Sequence, residues 1–227
     1  MSDITSRQKI YRALRRSIIM GHLPPGERLS VEVLAERYGT SVTPVRDALQ
    51  MLSQEGLITI KPRSGYFVAR ITLKQLRDLL DLRQILELAA VERAATRITD
   101  GELAELEQIH AGYTGDDDAS YERYTDENRR FHTLIAAAAE NQELVRAVGR
   151  LHDRLARFMV IRRAGRTMEQ THGRIIKALR AHDVAAARQA MLAELEETRQ
   201  RVLDHVIQEE GDTWHVGAQP NGPSSSA

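Results

Sequence analysis

The chain has 227 residues, 42% hydrophobic and 28% charged, which suits one or two globular domains with packed cores. It contains no cysteine, which excludes disulfide frameworks, thiolate zinc sites and cysteine nucleophiles. Its net charge of zero conceals an asymmetry: residues 1–70 hold 11 Lys+Arg against 6 Asp+Glu, and residues 71–227 hold 21 against 26, so a basic part suited to a polyanion precedes an acidic part that is not.

The basic part changes pattern several times. Residues 8–20 carry a helical stripe of Ile10, Leu14, Ile18 and Ile19, ended by Gly21. Leu23-Pro24-Pro25-Gly26 reads as a turn. Ser30 is placed to cap a short helix over 31–38, closed by Gly39. Ser41 is placed to cap the next, which runs to about Gln54 with Val45, Leu49 and Leu52 inward and Pro44 in its first turn. Leu57-Ile58-Thr59-Ile60 and Tyr66-Phe67-Val68 flank Lys61-Pro62-Arg63-Ser64-Gly65, a hairpin signal. Helix, helix, tight turn, helix, hairpin is the order of a winged helix-turn-helix.

All six prolines lie at positions 24, 25, 44, 62, 220 and 223, and Ala, Leu, Glu and Arg dominate between the fourth and fifth. That stretch predicts about six helices, over 73–98, 102–111, 121–139, 142–162, 168–181 and 183–208. Asp183 is the expected cap of the last, and Asp116-Asp117-Asp118 is expected to be a solvated loop. The chain is thus read as mainly α: a winged helix-turn-helix over 1–70, an all-α bundle over 71–210 and a disordered tail over 211–227. The longest apolar run, Leu134 to Ala139, is far too short to span a membrane, and no signal-like segment opens the chain, so a cytoplasmic, nucleoid-associated protein is expected.

In a helix-turn-helix the second helix enters the major groove and its first turn meets base edges. Here that turn is Val42-Thr43-Pro44-Val45-Arg46. Arg46 offers a fork to guanine or a clamp to phosphate, and Ser41 and Thr43 offer hydroxyls to phosphates. Arg63, Ser64 and Gly65 sit at the hairpin tip, where glycine permits close approach to the duplex. With Arg28, these form the expected DNA-facing set: Arg28, Ser41, Val42, Thr43, Arg46, Arg63, Ser64 and Gly65.

Four stretches resemble the GntR family. Gly21-His22-Leu23-Pro24-Pro25-Gly26-Glu27-Arg28-Leu29 is similar to its I-x-x-G-x-L-x-P-G-x-x-L opening. Residues 34–49, from Leu34-Ala35 through Val42-Thr43-Pro44-Val45-Arg46 to Ala48-Leu49, resemble its L-A-x-x-x-G-V-S-R-T-P-V-R-E-A-L core. Leu52-x-x-Glu55-Gly56-Leu57 and Arg63-Ser64-Gly65-Tyr66-Phe67-Val68 complete the match, and the helical part resembles the FCD sensing domain of the FadR-type subgroup. One departure is Val42, where the family usually has a DNA-contacting Arg. The resemblance implies a transcriptional regulator, usually a repressor, that binds a two-fold operator as a homodimer.

Spacing in the acidic part singles out four polar residues. Asn128 and His132 lie four apart on one helical face. His172 lies about ten residues before the turn at His182-Asp183 and Glu194 about eleven after it. Both are then roughly 15–17 Å from the turn along an antiparallel pair, at a rise of ~1.5 Å per residue. If the helix of Asn128 and His132 packs on that pair, all four converge. The FCD resemblance points to the same positions, where metal-binding members use Asp-x-x-x-His, a second His and a third. Here Asn128 replaces the Asp and Glu194 the third His. Two His without Cys favour zinc, nickel or manganese. A carboxylated metabolite is the expected effector, held by Arg83, Asn128, His132 and His172; a plain helical ion pair between Arg83 and Glu87 is the other reading of that arginine. Two further classes stay open at this point, a metal-dependent enzyme with Glu194 as base and an architectural DNA binder without ligand.

Overall fold

A computed structural model of the chain describes residues 5–109, 117–159 and 168–210; the tail at 211–227 and residues 112–116 of the loop expected over 112–119 lie outside these. The basic part contains α1 (Ser6–Ile19), β1 (Arg28–Leu29), α2 (Val31–Arg37), α3 (Val42–Gln54), β2 (Ile58–Lys61) and β3 (Gly65–Val68). The strands form an antiparallel sheet in the order β1-β3-β2. The hairpin register pairs Lys61 with Gly65 and Ile58 with Val68, while Arg28 faces Phe67. This is a winged helix-turn-helix. Strand β1 was not expected, because two residues carry no periodicity; its place beside β3 is set by the turn at Gly26, which has φ +86.

Local signals explain the helix ends. Thr5 and Gln8 close a reciprocal capping box on α1, and Ser30 accepts from Val33 N at 3.3 Å on α2. Ser41 holds the N-cap position of α3 in extended conformation, but its side chain makes no capping hydrogen bond, which corrects the expectation. The N3 residue is Pro44, whose missing N–H removes the usual partner of an N-cap oxygen.

The second part contains α4 (Leu73–Ala95), α5 (Asp100–Ile109), α6 (Asp118–Ala138), α7 (Gln142–Met159), α8 (Met168–Arg180) and α9 (Val184–Glu210). Helix α4 opens on a Thr72–Gln75 capping box, and Asp183 caps α9 by accepting from Ala186 N at 2.9 Å. The turn between α8 and α9 falls at the expected place, with His182 left-handed at φ 50. The acidic run is not only solvated loop: Asp117 caps α6, accepting from Ser120 N at 2.9 Å, and Asp118 lies in its first turn.

Among the described residues, three apolar clusters form the core. The first packs Ile10, Leu14 and Ile18 of α1 on Val45, Leu49 and Leu52 of α3, closed by Ile58 and Val68. The second joins α4, α5, α6, α8 and α9 through Val91, Leu106, Phe131, Ile135, Leu179 and Met191. The third, nearer the winged helix, joins Leu76, Leu80, Leu155, Phe158 and Val202. Arg157 of α7 donates to Ala69 O at 2.8 Å and so fixes the segment between the two parts.

Candidate functional site

The two parts present two different sites. On the winged helix, Ser41, Val42, Thr43 and Arg46 are exposed at the start of α3, with Val42 at 37%. Arg28, Arg63 and Ser64 are exposed along the wing. Arg63 takes φ 61 and Gly65 φ 102, which turns the hairpin back within Pro62–Gly65. Glu32, in the first turn of α2, is held below its ordinary range by its own backbone N–H and the Ser30 hydroxyl, and further by Arg46 and Arg28. Recognition helix and wing sheet each expose a cation, Arg46 on α3 and Arg28 on β1.

The second site is buried in the helical bundle. Arg83 and Glu87 come from α4, Asn128 and His132 from α6, His152 from α7, His172 from α8 and Glu194 from α9, and all are buried. Arg83 Nε donates to Glu87 Oε1 at 2.7 Å. Its Nη2 lies 3.2 Å from His132 Nε2 and 3.4 Å from each oxygen of Glu194. The helical ion pair and the convergent cluster are therefore the same arrangement. Glu87 also contacts His132 Nδ1 through Oε2 and His152 Nε2, at 2.9 Å, through Oε1. Thr198 donates to Glu194 Oε1 at 3.0 Å. The His172 ring stacks on Phe131 at 3.8 Å and meets His132 edge-on at 5.4 Å.

Burial would raise the Glu87 carboxyl, but the Arg83 charge, followed by His132 and His152, holds it well below the usual carboxylate range. Burial likewise opposes the charge on Arg83, and Glu87 and Glu194 overcome that opposition. His152 is pushed down to about 4 by burial, against the pull of Glu87, and is therefore neutral at physiological pH.

Ligand atoms of His132, His172 and Glu194 lie within 4.8 Å of one another, as do those of Glu87, His132 and His152. His132 Nε2 and Glu194 Oε2 stand 3.9 Å apart, somewhat wider than the roughly 3.3–3.6 Å between two tetrahedral ligands at bonds of about 2.0–2.2 Å, so a shared ion would draw them together. Glu87 takes the Nδ1 side of His132 and leaves Nε2 on the side of Glu194, the outer contact typical of a metal-ligating imidazole. The donor set thus fits a metal. Arg83 Nη2 now touches two of the same donors, and Arg83 Nη1 has no hydrogen-bond partner among the described residues.

Residues 6–68 match the family model for bacterial regulatory proteins of the gntR family, and residues 78–197 match the FCD domain. The chain belongs to the GntR family. It is similar to the HTH-type transcriptional repressor RspR of Escherichia coli, 30% identical over 213 residues that cover 91% of this chain and 92% of RspR. The repressor GlaR of the same species is 32% identical over 194 residues, covering 80% and 88%. Among solved structures, E. coli McbR/YncC superposes with a TM-score of 0.71 at 26% identity, covering 89% of this chain and 98% of that one.

In this GntR-family regulator the structure brings together His132, His172, Glu194 and Arg83, with Asn128 buried one turn before His132. The sequence reading missed His152 altogether and gave Glu87 only as a partner of Arg83. A signal was present for both. His152 falls on the buried stripe Val148, His152, Leu155 of α7, and Glu87 on the stripe Leu80, Arg83, Glu87, Val91 of α4. A titratable group in a stripe that is otherwise apolar is the mark of an internal polar site.

Proposed function

We propose that this GntR-family regulator binds a two-fold operator as a homodimer and represses transcription until a small carboxylated metabolite enters the FadR-type sensor. The observation that carries this reading is the buried cluster itself. A bundle held only by packing gains nothing from one guanidinium, two carboxylates and three imidazoles in its interior, because desolvating them is costly. The one guanidinium, Arg83, stands against two carboxylates, Glu87 and Glu194, so an anionic effector needs a further cation beside it.

His132, His172, Glu194 and the amide oxygen of Asn128 would hold a divalent ion, zinc, nickel or manganese. When bound, such an ion supplies the positive charge that orients a carboxylate. Arg83, with Nη1 unpartnered among the described residues and Nη2 shared, is the second contact for that carboxylate. At the other end, Arg46, Ser41 and Thr43 meet the major groove and its phosphates beside Val42, while Arg28, Arg63, Ser64 and Gly65 track the backbone or minor groove. Leu82 and Ile85, exposed on α4, are apolar side chains available to a second copy, and two half-sites favour a dimer. RspR and GlaR are repressors by name, which supports the sign of control. None of the described helices is long and apolar enough to cross a membrane, and a regulator of this kind works on the nucleoid in the cytoplasm.

The test is elemental analysis of protein purified without chelator or nickel affinity, repeated on His132→Ala. The expected result is a bound divalent ion in the parent and its loss in the variant. A metal-free parent that still responds to its effector after His132→Ala would remove the ion and leave Arg83 as the anion contact.

A further inference from the structure

We propose that Arg15 is a coupling residue that links the buried sensor cluster to the recognition helix α3. Helix α1 has two working faces. Ile10, Leu14 and Ile18 pack it on α3, while Arg15 points at the helical bundle. The Arg15 side chain, 12% exposed, reaches carboxylates on three separate elements: Glu55 at 3.6 Å, Asp126 of α6 at 3.1 Å and Asp153 of α7 at 3.4 Å. Glu55 is the C-cap residue of α3. It is held from α1 a second time, since Tyr11 donates to its Oε1 at 2.5 Å. Whatever moves Arg15 therefore acts on the end of the recognition helix.

The sensor side of this seam adjoins the buried cluster along the chain. Asp153 follows His152, whose Nε2 lies 2.9 Å from Glu87. Arg129, which grips Asp153 at 2.8 and 3.2 Å, follows Asn128. Successive helical residues project about 100° apart, so one turn of α7 faces the cluster through His152 and the seam through Asp153. The same holds for α6 through Asn128 and Arg129. A rigid shift of α7 that changes the His152–Glu87 contact carries Asp153 with it. An Arg15–Asp153 separation of 3.4 Å is already at the edge of hydrogen bonding, so a shift of about 1 Å breaks it.

The charges allow two arrangements rather than one. Arg12, Arg15 and Arg129 border the same space as Glu55, Glu122, Asp126 and Asp153, so Arg15 has several carboxylates within reach and can trade partners. A polar cavity of about 460 Å³, bordered by Tyr11, Arg15, Glu55, Asp126 and Asp153, gives it room to do so. Outer pairs at the same seam, Arg16–Glu122 at 3.4 Å and His22–Asp118 at 3.5 Å, are more exposed and screened. Arg15, more enclosed than Arg16 or His22, is the element with leverage.

Linkage makes the idea testable without the effector: if the sensor alters DNA binding, DNA must alter the sensor. The measurement is amide hydrogen exchange of the full chain, with and without an operator duplex selected from a random-sequence library. The expected result is a several-fold change in exchange within α6 and α7 of the parent on adding DNA. That change should be lost in Arg15→Gln and in Asp153→Asn, with operator affinity of the variants kept within a few-fold. Asp153→Asn carries the test from the sensor side if Arg15→Gln does not fold. A parent whose α6 and α7 ignore DNA, or variants that keep the parent's response, would overturn the proposal.

Discussion

The winged helix and the helical bundle use their interiors differently. Among the described residues every buried polar or charged side chain lies between Arg83 and Glu194, and the winged helix buries only apolar ones. The DNA-binding part is therefore a packed scaffold whose information is on its surface: Arg28, Arg46 and Arg63 are exposed on an apolar core. The sensor carries its information inside, where Arg83, Glu87, His132 and Glu194 define one another's charge and orientation. Such an interior is expensive unless every charge is compensated, which makes it responsive to whatever adds or removes a charge.

The largest expected effect tests that cost. Glu87→Leu removes the Nε partner of Arg83 and the contact shared by His132 and His152. It should destabilise the chain by about 3–5 kcal/mol in denaturant unfolding. A loss below about 1 kcal/mol would mean that the cluster is solvated and not a sealed interior. On the other side of the comparison, Leu49→Ala should cost about 2–5 kcal/mol through the cavity it leaves, and should abolish operator binding by loosening α3. Retention of full DNA affinity in that variant would show that the apolar core does not set the recognition helix.

Surface changes on the winged helix should touch binding and spare folding. Arg46→Ala should weaken operator binding by about 1–3 kcal/mol, read by gel-shift titration at fixed salt, with an unchanged melting curve. The smallest effect is expected from Val42→Arg. One added phosphate contact should tighten binding to random-sequence duplex and steepen the salt dependence by about 0.9 in log–log slope. A slope equal to the parent's would place that side chain away from the backbone.

The same contrast governs what could be read from the sequence. The winged helix was legible because its determinants are local: the Ile10, Leu14, Ile18 stripe, the Ser30 cap, the glycine after the wing tip. The pairing of His172 with Glu194 was legible because helix rise and the position of one turn sufficed to place them side by side; bringing Asn128 and His132 to them needed the further condition that α6 packs on that pair. The partnership of Glu87 with His152 was not, since it joins residues 65 apart through the packing of α4 on α7. The Arg15 seam, with partners 111 and 138 positions away, lies further beyond local pattern. Asp117 shows the reverse error, where an acidic run suggested only solvated loop while one of its members caps α6.

The central claim is that the buried cluster of the bundle receives a small carboxylate. The most direct measurement is a thermal-denaturation screen of the full chain against small mono- and dicarboxylates, with and without zinc or manganese. Arg83→Lys, which keeps the charge but loses the fork, is run alongside. The account predicts that at least one carboxylate raises the parent's midpoint, more so with the metal present, and that Arg83→Lys blunts the rise. A parent indifferent to every carboxylate with and without metal, or an Arg83→Lys variant that responds as the parent does, would contradict it.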